Sequence, residues 1–389
     1  MYKKIINNHI NNEFKKILLL IYKTYFDKPI INFYKTNYKK NVLISYIKYP
    51  FIKGVNYSHT NNIEAISIGE VFNKLGYNVD IVNYDYEGKI NYEKYNIIFG
   101  FGEPLEKSFY FNINNLKRIY YGTGMHLFIQ NYNTIKRIGG LYNKKGILIV
   151  ESSRLVFKSW NIQTQLSNAI ITLGNNTIID SYKQFYDKSI YSIPVTYYNI
   201  ENINYDISNN IEEKKLNFIW FGSSGLIHKG LDLLLEIFKE KGDLNLHICG
   251  PIDNEKIFKD YFYSELYETK NIFNYGFVDI HSYKFKSIVN KCAFSIFPSC
   301  AEGEPSSIIN LMSLGIIPIV TKESGINLDL AINIDSLNKY EIINSINKVN
   351  KLNNLEIINF SKKIKEETLK NNSIKKFKLK LKENLIKII

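Results

Sequence analysis

The sequence predicts an α/β protein made of two successive parallel sheets wound by crossover helices, and three observations carry that prediction. Short apolar runs alternate with amphipathic helical patterns along most of the chain, as a parallel sheet with helical crossovers requires. The alternation lapses once, in the polar and Asn-rich residues 196–214, and then restarts. At 389 residues the chain is long for one domain and comfortable for two, each able to bury its own core.

The elements follow in order. Residues 1–40 precede the first strand and read as a basic, helical extension. Its Lys15, Lys16, Leu18, Leu19, Ile21 and Tyr22 suit packing on the first domain or resting on an anionic membrane surface. The first domain, 41–195, has strand candidates at 41–47, 78–82, 96–102, 118–124, 146–151, 169–174 and 189–195. Between the first two, Ile63, Ile66, Val71 and Leu75 space out a helix that Gly76 ends. Residues 196–214 are the linker. The second domain, 215–360, has strand candidates at 216–222, 244–250, 271–278, 293–299 and 316–320. Its clearest helix starts at Lys229. The tail, 361–389, is helical and basic. Two such blocks are two Rossmann-like domains, and the cleft between them is the expected binding place.

Composition excludes several classes of function. The formal charge of +13 favours anionic partners, but the lysines are spread along the chain and no nucleic-acid-binding motif accompanies them, so no nucleic-acid partner is expected. Cys249, Cys292 and Cys300 are odd in number and show no C-x-x-C spacing, against a disulfide framework or a zinc site and in keeping with a reducing cytosol. The apolar run from Ile17 to Ile21 is too short for a signal peptide, and no run approaches the ~20 apolar residues of a membrane span. Gly100 and Gly102 follow a strand, but Leu105 stands where a dinucleotide fingerprint needs its third glycine. Asp85 and Glu87 have an acid-x-acid spacing with no further carboxylate at hand, so they read as surface and no metal site is expected.

The stretch 292–320 carries the chemistry. A buried strand ends at Pro298 and Ser299, an acidic glycine loop follows with Glu302 and Gly303, and a helix runs from Ser306 to Gly315 before a second apolar strand. Glu302 therefore lies at a strand's carboxyl end, and Ser306 and Ser307 at a helix start whose N-H groups favour an anion. A second constellation opens the second domain, where a strand runs into Gly222, Ser223, Ser224 and Gly225 and then a helix led by Lys229 and Gly230. Glycine turns and loop N-H groups there suit a diphosphate that Lys229 neutralises.

These two segments resemble the donor motifs of the family 4 retaining glycosyltransferases. The resemblance implies the GT-B fold of two facing Rossmann-like domains, with a last helix returning toward the first. It also implies a nucleotide diphosphate sugar as donor, no cofactor, and a hydroxyl of a glycan or lipid-linked saccharide as acceptor, in the cytoplasm or peripheral on the inner membrane face. In that family a second Glu, eight residues after the first, binds the ribose; here that residue is Asn310, with one acceptor oxygen and no charge. The family's phosphate loop has an arginine where this chain has Ser223 and Ser224. In the first domain Gly54 and His59 match the family's opening loop, and His126, past the fourth strand, matches a histidine beside the donor sugar. The resemblance thus assigns catalysis to His126, Lys229 and Glu302. It assigns donor binding to Gly54, Ser223, Ser224, Gly303, Ser306, Ser307 and Asn310 besides. Glu151 and Arg154, past the 146–151 run, and His59 are the acceptor-side candidates, with an internal ion pair as the simpler reading of Glu151 and Arg154. Other readings stay open: an inactive homologue of this fold serving as a scaffold, or another GT-B enzyme such as a sugar-nucleotide epimerase.

Overall fold

The computed structural model describes residue 17 and residues 27–389, apart from 57, 58, 159, 160, 201, 202 and 204. The amphipathic face expected around Lys15 to Tyr22 lies outside the described residues. Residues 27–39 are irregular rather than helical, with a turn at 33–34. Ile30 bridges Ile81 antiparallel, and Asn32 N donates to Asp80 Oδ1 at 2.8 Å, so this segment covers a sheet edge that would otherwise expose unpaired backbone.

The first sheet holds β1 (Lys40–Tyr46), β2 (Tyr77–Asn83), β3 (Ile97–Gly100), β4 (Lys117–Gly122), β5 (Ala169–Leu173) and β6 (Ile190–Ile193). The second holds β7 (Asn217–Phe221), β8 (Asn245–Cys249), β9 (Ile272–Asn274), β10 (Phe294–Phe297), β11 (Ile317–Thr321) and β12 (Ile332–Ile334). Their spatial orders are β2-β1-β3-β4-β5-β6 and β12-β11-β10-β7-β8-β9, with every strand pair parallel. Central strands are apolar on both faces because helices cover both: Val42, Leu43 and Ile44 of β1 and Phe294 and Ile296 of β10 are fully buried. In each sheet the winding reverses beside the opening strand, between β1 and β3 and between β7 and β10. A crevice forms there at the strands' carboxyl ends.

Six helices matter for the site: α1 (Asn61–Lys74), α2 (Leu127–Lys145), α3 (Leu231–Glu240), α4 (Ser306–Leu314), α5 (Asn354–Asn371) and α6 (Ile374–Ile388). α5 packs on α4, with Ser361 Oγ donating to Gly315 O at 2.5 Å. α6 returns to the first domain, where Lys378 pairs with Glu70 of α1 at 2.6 Å and Asn384 Nδ2 donates to Ser192 O at 3.1 Å. The chain thus crosses between domains twice, and the crossings touch: Asn372 Nδ2 donates to Val195 O at 2.9 Å and Tyr197 N to Asn372 O at 3.3 Å.

Two elements differ from expectation. The apolar run 146–151 is not a strand: β4 and β5 pair directly and leave no slot between them, and Leu148 and Val150 point outward while Ile149 is buried. The run instead leads from α2 to a contact with the second domain at Phe258 before the chain continues to β5. The residues expected as a solvated linker are half interior, with Thr196, Tyr198, Ile200, Tyr205, Ile207 and Ile211 all buried.

Candidate functional site

A cavity of about 740 Å³ lies between the domains, at the carboxyl ends of β1, β3, β7 and β10. The second domain gives it Ser223, Lys229, Glu302, Gly303, Ser306, Ser307 and Asn310; the first gives His59, Glu64, Arg154 and an aromatic wall of Tyr46, Tyr84 and Phe101.

At its floor Lys229 Nζ pairs with Glu302 Oε1 at 2.5 Å. Both side chains are buried, 3% and 9% exposed. Arg154 Nη1 donates to Glu302 Oε2 at 3.0 Å from the first domain. Burial pushes the Lys229 ammonium down to a pKa of about 8, with Arg154 adding to the fall and Glu302 opposing it. Burial alone would raise the Glu302 carboxyl, but the charges of Lys229 and Arg154 outweigh it and hold the pKa at about 2. Among the described residues no group of three or more His, Cys, Asp or Glu side chains is gathered to hold a metal ion.

Local backbone geometry builds this floor. Gly230 has φ +72°, and a Cβ there would lie 2.3 Å from Pro298 O, so glycine alone lets α3 start against the end of β10. Gly303 touches the other domain: its Cβ would fall 2.5 Å from Gly124 Cα and 2.7 Å from Thr123 O. α4 starts at Ser306 with Pro305 as a cap that offers no side-chain bond, which leaves its leading N-H groups without the usual capping partner. The phosphate-loop amides are less free than the sequence suggests. Gly225 N donates to Glu255 Oε1 at 2.5 Å and Leu226 N to Glu255 Oε2 at 3.1 Å, so an internal carboxylate occupies two of the N-H groups expected to face a phosphate.

The structure brings most of the predicted residues together and sets others apart. Asn310 lines the cavity, but its Oδ1 accepts from Tyr198 N at 2.8 Å and its Nδ2 donates to Ser306 O at 2.8 Å. The one acceptor oxygen that the ribose role requires already holds the interdomain crossing. His126 does not line the cavity. It caps α2, its Nδ1 accepting from Phe128 N at 3.3 Å, and its ring stacks on Phe185 at 4.2 Å beside Tyr182. This apolar cage lowers its pKa to about 4. The ring is thus neutral and packed among aromatics, apart from the cavity in which the resemblance expects it. Gly54 and Ser224 also lie outside the cavity lining, both at exposed positions. Glu151 does not pair with Arg154; it accepts from Phe258 N at 3.0 Å and docks its segment on the second domain. His59 stands at the cavity's edge, its pKa lowered by desolvation and by the charge of Arg154. Glu87 is exposed and lies 3.8 Å from Lys158.

Three further titratable residues near the site were not singled out from the sequence. His228 is fully buried; its Nε2 lies 2.5 Å from Ala301 O, and its Nδ1 lies 2.8 Å from Thr134 Oγ1 of α2. A carbonyl only accepts, so Nε2 carries the proton and Nδ1 is left as an acceptor facing Thr134 Oγ1 and Cys300 Sγ. Burial lowers the pKa to about 3 and keeps the ring neutral, a link between α2 and the acid loop. Glu64 and Glu304 both line the cavity, and burial pushes each carboxyl up to about 7. Glu304 has φ +61°, a strained conformation for a side chain of its size, and accepts from Val195 N at 2.8 Å. The second acid of EGE was visible in the sequence; the placement of Glu64 and His228 depends on the interdomain contact.

Residues 204–376 match the family model described as glycosyl transferases group 1. No curated protein matches the chain in sequence. Among solved structures, sucrose-phosphate synthase from Thermosynechococcus elongatus superposes with a TM-score of 0.62 at 11% identity, over 90% of this chain and 99% of that one. A glycosyltransferase from Rickettsia africae gives 0.58 at 13%, over 90% and 99%. HepE of Anabaena, solved in complex with UDP and glucose, gives 0.56 at 10%, over 90% and 99%. At such identities the likeness is one of fold, and the fold is GT-B.

Proposed function

We propose that this GT-B chain is a retaining glycosyltransferase that moves a sugar from a nucleotide diphosphate donor to a hydroxyl of a growing glycan or lipid-linked saccharide, without a metal. The observation that carries the reading is the buried Lys229–Glu302 pair at the floor of the interdomain cavity, beside the uncapped start of α4. The match of the second domain to glycosyl transferases group 1 supports it, as does UDP with glucose in the Anabaena neighbour.

In the proposed reaction the bond between the anomeric carbon and the diphosphate oxygen breaks, and its electron pair leaves with the diphosphate. The acceptor oxygen bonds to the same carbon, and its proton passes to the departing phosphate. Charge grows on the phosphate oxygens in the transition state, where Lys229 and the α4 N-H groups stabilise it most. Glu302 accepts from donor hydroxyls and offsets positive charge on the ring. A cytoplasmic or peripheral membrane site of action is part of the proposal; among the described residues no helix is long and apolar enough to cross a membrane.

One observation favours a second reading. Glu64 and Glu304 are two cavity carboxyls poised near pKa 7, the range in which an acid can both give and take a proton, as an epimerase needs. A panel of UDP-, GDP- and ADP-sugars incubated in D2O separates the readings. Release of nucleoside diphosphate without ring deuteration is the transferase outcome. Deuterium in the sugar ring is the epimerase outcome. Neither, with folded protein, removes both and leaves a scaffold.

A further inference from the structure

We infer that Arg154, contributed by the first domain, is the guanidinium that meets the donor's diphosphate, a placement that rests on the glycosyltransferase reading and moves this residue from the acceptor side of the cleft to the leaving group.

The argument begins with charge. Lys229 and Glu302 form a closed pair, so together they offer a dianionic leaving group no net charge. Among the described lining residues of the second domain, Lys229 is the one cation, Ser223, Ser306 and Ser307 are uncharged, and the neighbouring amides of Gly225 and Leu226 already serve Glu255. Arg154 brings the floor to one net positive charge. Its guanidinium carries five donors in a rigid fork that matches phosphate oxygens. Contact with Glu302 uses Nη1; the side chain is 44% exposed toward the cavity that it lines.

The residue is held there from both domains. Arg154 O accepts from Gln130 Nε2 at 2.8 Å, and two residues on, Val156 exchanges bonds of 2.8 and 2.9 Å with the Asn131 side chain. Ser152 O accepts from His228 N at 3.2 Å. The arginine stem then lies directly on the phosphate loop: a Cβ at Gly225 would stand 2.5 Å from Arg154 Cγ and 2.9 Å from its Cδ. Glycine at 225 therefore opens the path by which a side chain of one domain reaches the phosphate end of the other. Because 146–151 is not a strand but leads to a contact with the second domain, it delivers Arg154 to this loop.

Isothermal titration of wild type, Arg154→Gln and Arg154→Lys with UDP, GDP and ADP and with the matching monophosphates tests this. Thermal melts confirm that each variant is folded. Glutamine can still donate to Glu302 but carries no charge. We expect Arg154→Gln to weaken diphosphate binding by about tenfold to a hundredfold, the range for hydrogen bonds to a charged group. The monophosphates should weaken by less than about threefold, and lysine should recover part of the diphosphate affinity. Equal loss for mono- and diphosphates, or no loss for either, overturns the inference while the glycosyltransferase reading stands. If wild type binds no nucleotide of any base, the glycosyltransferase reading itself fails and the assignment of Arg154 fails with it.

Discussion

Lys229 shows how opposing effects set the chemistry of a single residue. Removal from water favours the neutral amine, the adjoining guanidinium reinforces that, and the Glu302 carboxylate resists it, leaving a pKa of about 8. In the proposed reaction the protonated form would stabilise a departing diphosphate and the neutral form would not. Donor turnover, followed as kcat/KM, should therefore be level below about pH 8 and fall about tenfold per pH unit above it. Lys229→Arg, which stays protonated, should push that limb beyond about pH 10 even at a lower rate. A limb that stays in place in the arginine variant assigns it to another group. At this scale Lys229 and Glu302 were legible because a strand end and a helix start dictate where they lie. Asn310 and His126 were legible as positions but not as roles. The partner of one is a backbone amide more than a hundred residues away, and the surroundings of the other are aromatic side chains from α2 and from 182–185. Neither is encoded in local spacing.

At the scale of elements, loops between strand ends and helix starts set the precision of the site. Gly303 presses the acid loop against the backbone of residues 123–124, which cannot yield as a flexible side chain would. Gly303→Ala should displace Glu302 by a substantial fraction of an ångström and cost on the order of a hundredfold in kcat. Gly139→Ala is the contrast: it lies within α2 with nothing within 4 Å of the added Cβ, and alanine there should stabilise by about 0.5 to 1 kcal/mol. Steady-state rates and thermal melts on both variants check the pair; a fully active Gly303→Ala would mean the two backbones separate freely. Eleven of the twelve strands overlap the predicted runs to within a residue at the ends that overrun, since a two-sided parallel sheet writes itself as short apolar stretches. The failures are equally physical: 146–151 is as apolar as a strand but finds no open sheet edge, and β12 is three residues long, too short to leave a periodic signal.

At the scale of the molecule, one polar and buried pair stands out among the contacts that join the domains. Arg137 of α2 contacts both carboxylate oxygens of Asp232 of α3, and both side chains are at most 9% exposed. Removing one partner strands the other charge, so Arg137→Met should cost about 3 to 5 kcal/mol of domain docking. Arg137→Met with Asp232→Leu should restore much of it. Calorimetry should show one melting transition in the wild type and the double variant, and two in the single variant. A single unshifted transition for Arg137→Met would mean that the crossings alone couple the domains.

The return of α6 to the first domain has a temporal consequence. The second domain is, in chain order, an insertion within the first, placed between β6 and the helix that completes it. On a translating ribosome the first sheet is finished when Ile193 emerges, yet the helix that supplies Lys378 opposite Glu70 and Asn384 opposite Ser192 is still unmade. Some 195 residues separate Ile193 from Ile388, which at typical elongation rates is roughly 10 to 40 s. For that interval α1 and β6 carry an uncovered face while β7 to β12 of the second domain are being made. The last strand of the later-synthesised domain therefore emerges before the helix that covers the earlier one, and until then the earlier domain depends on whatever in the cell shields half-finished surfaces.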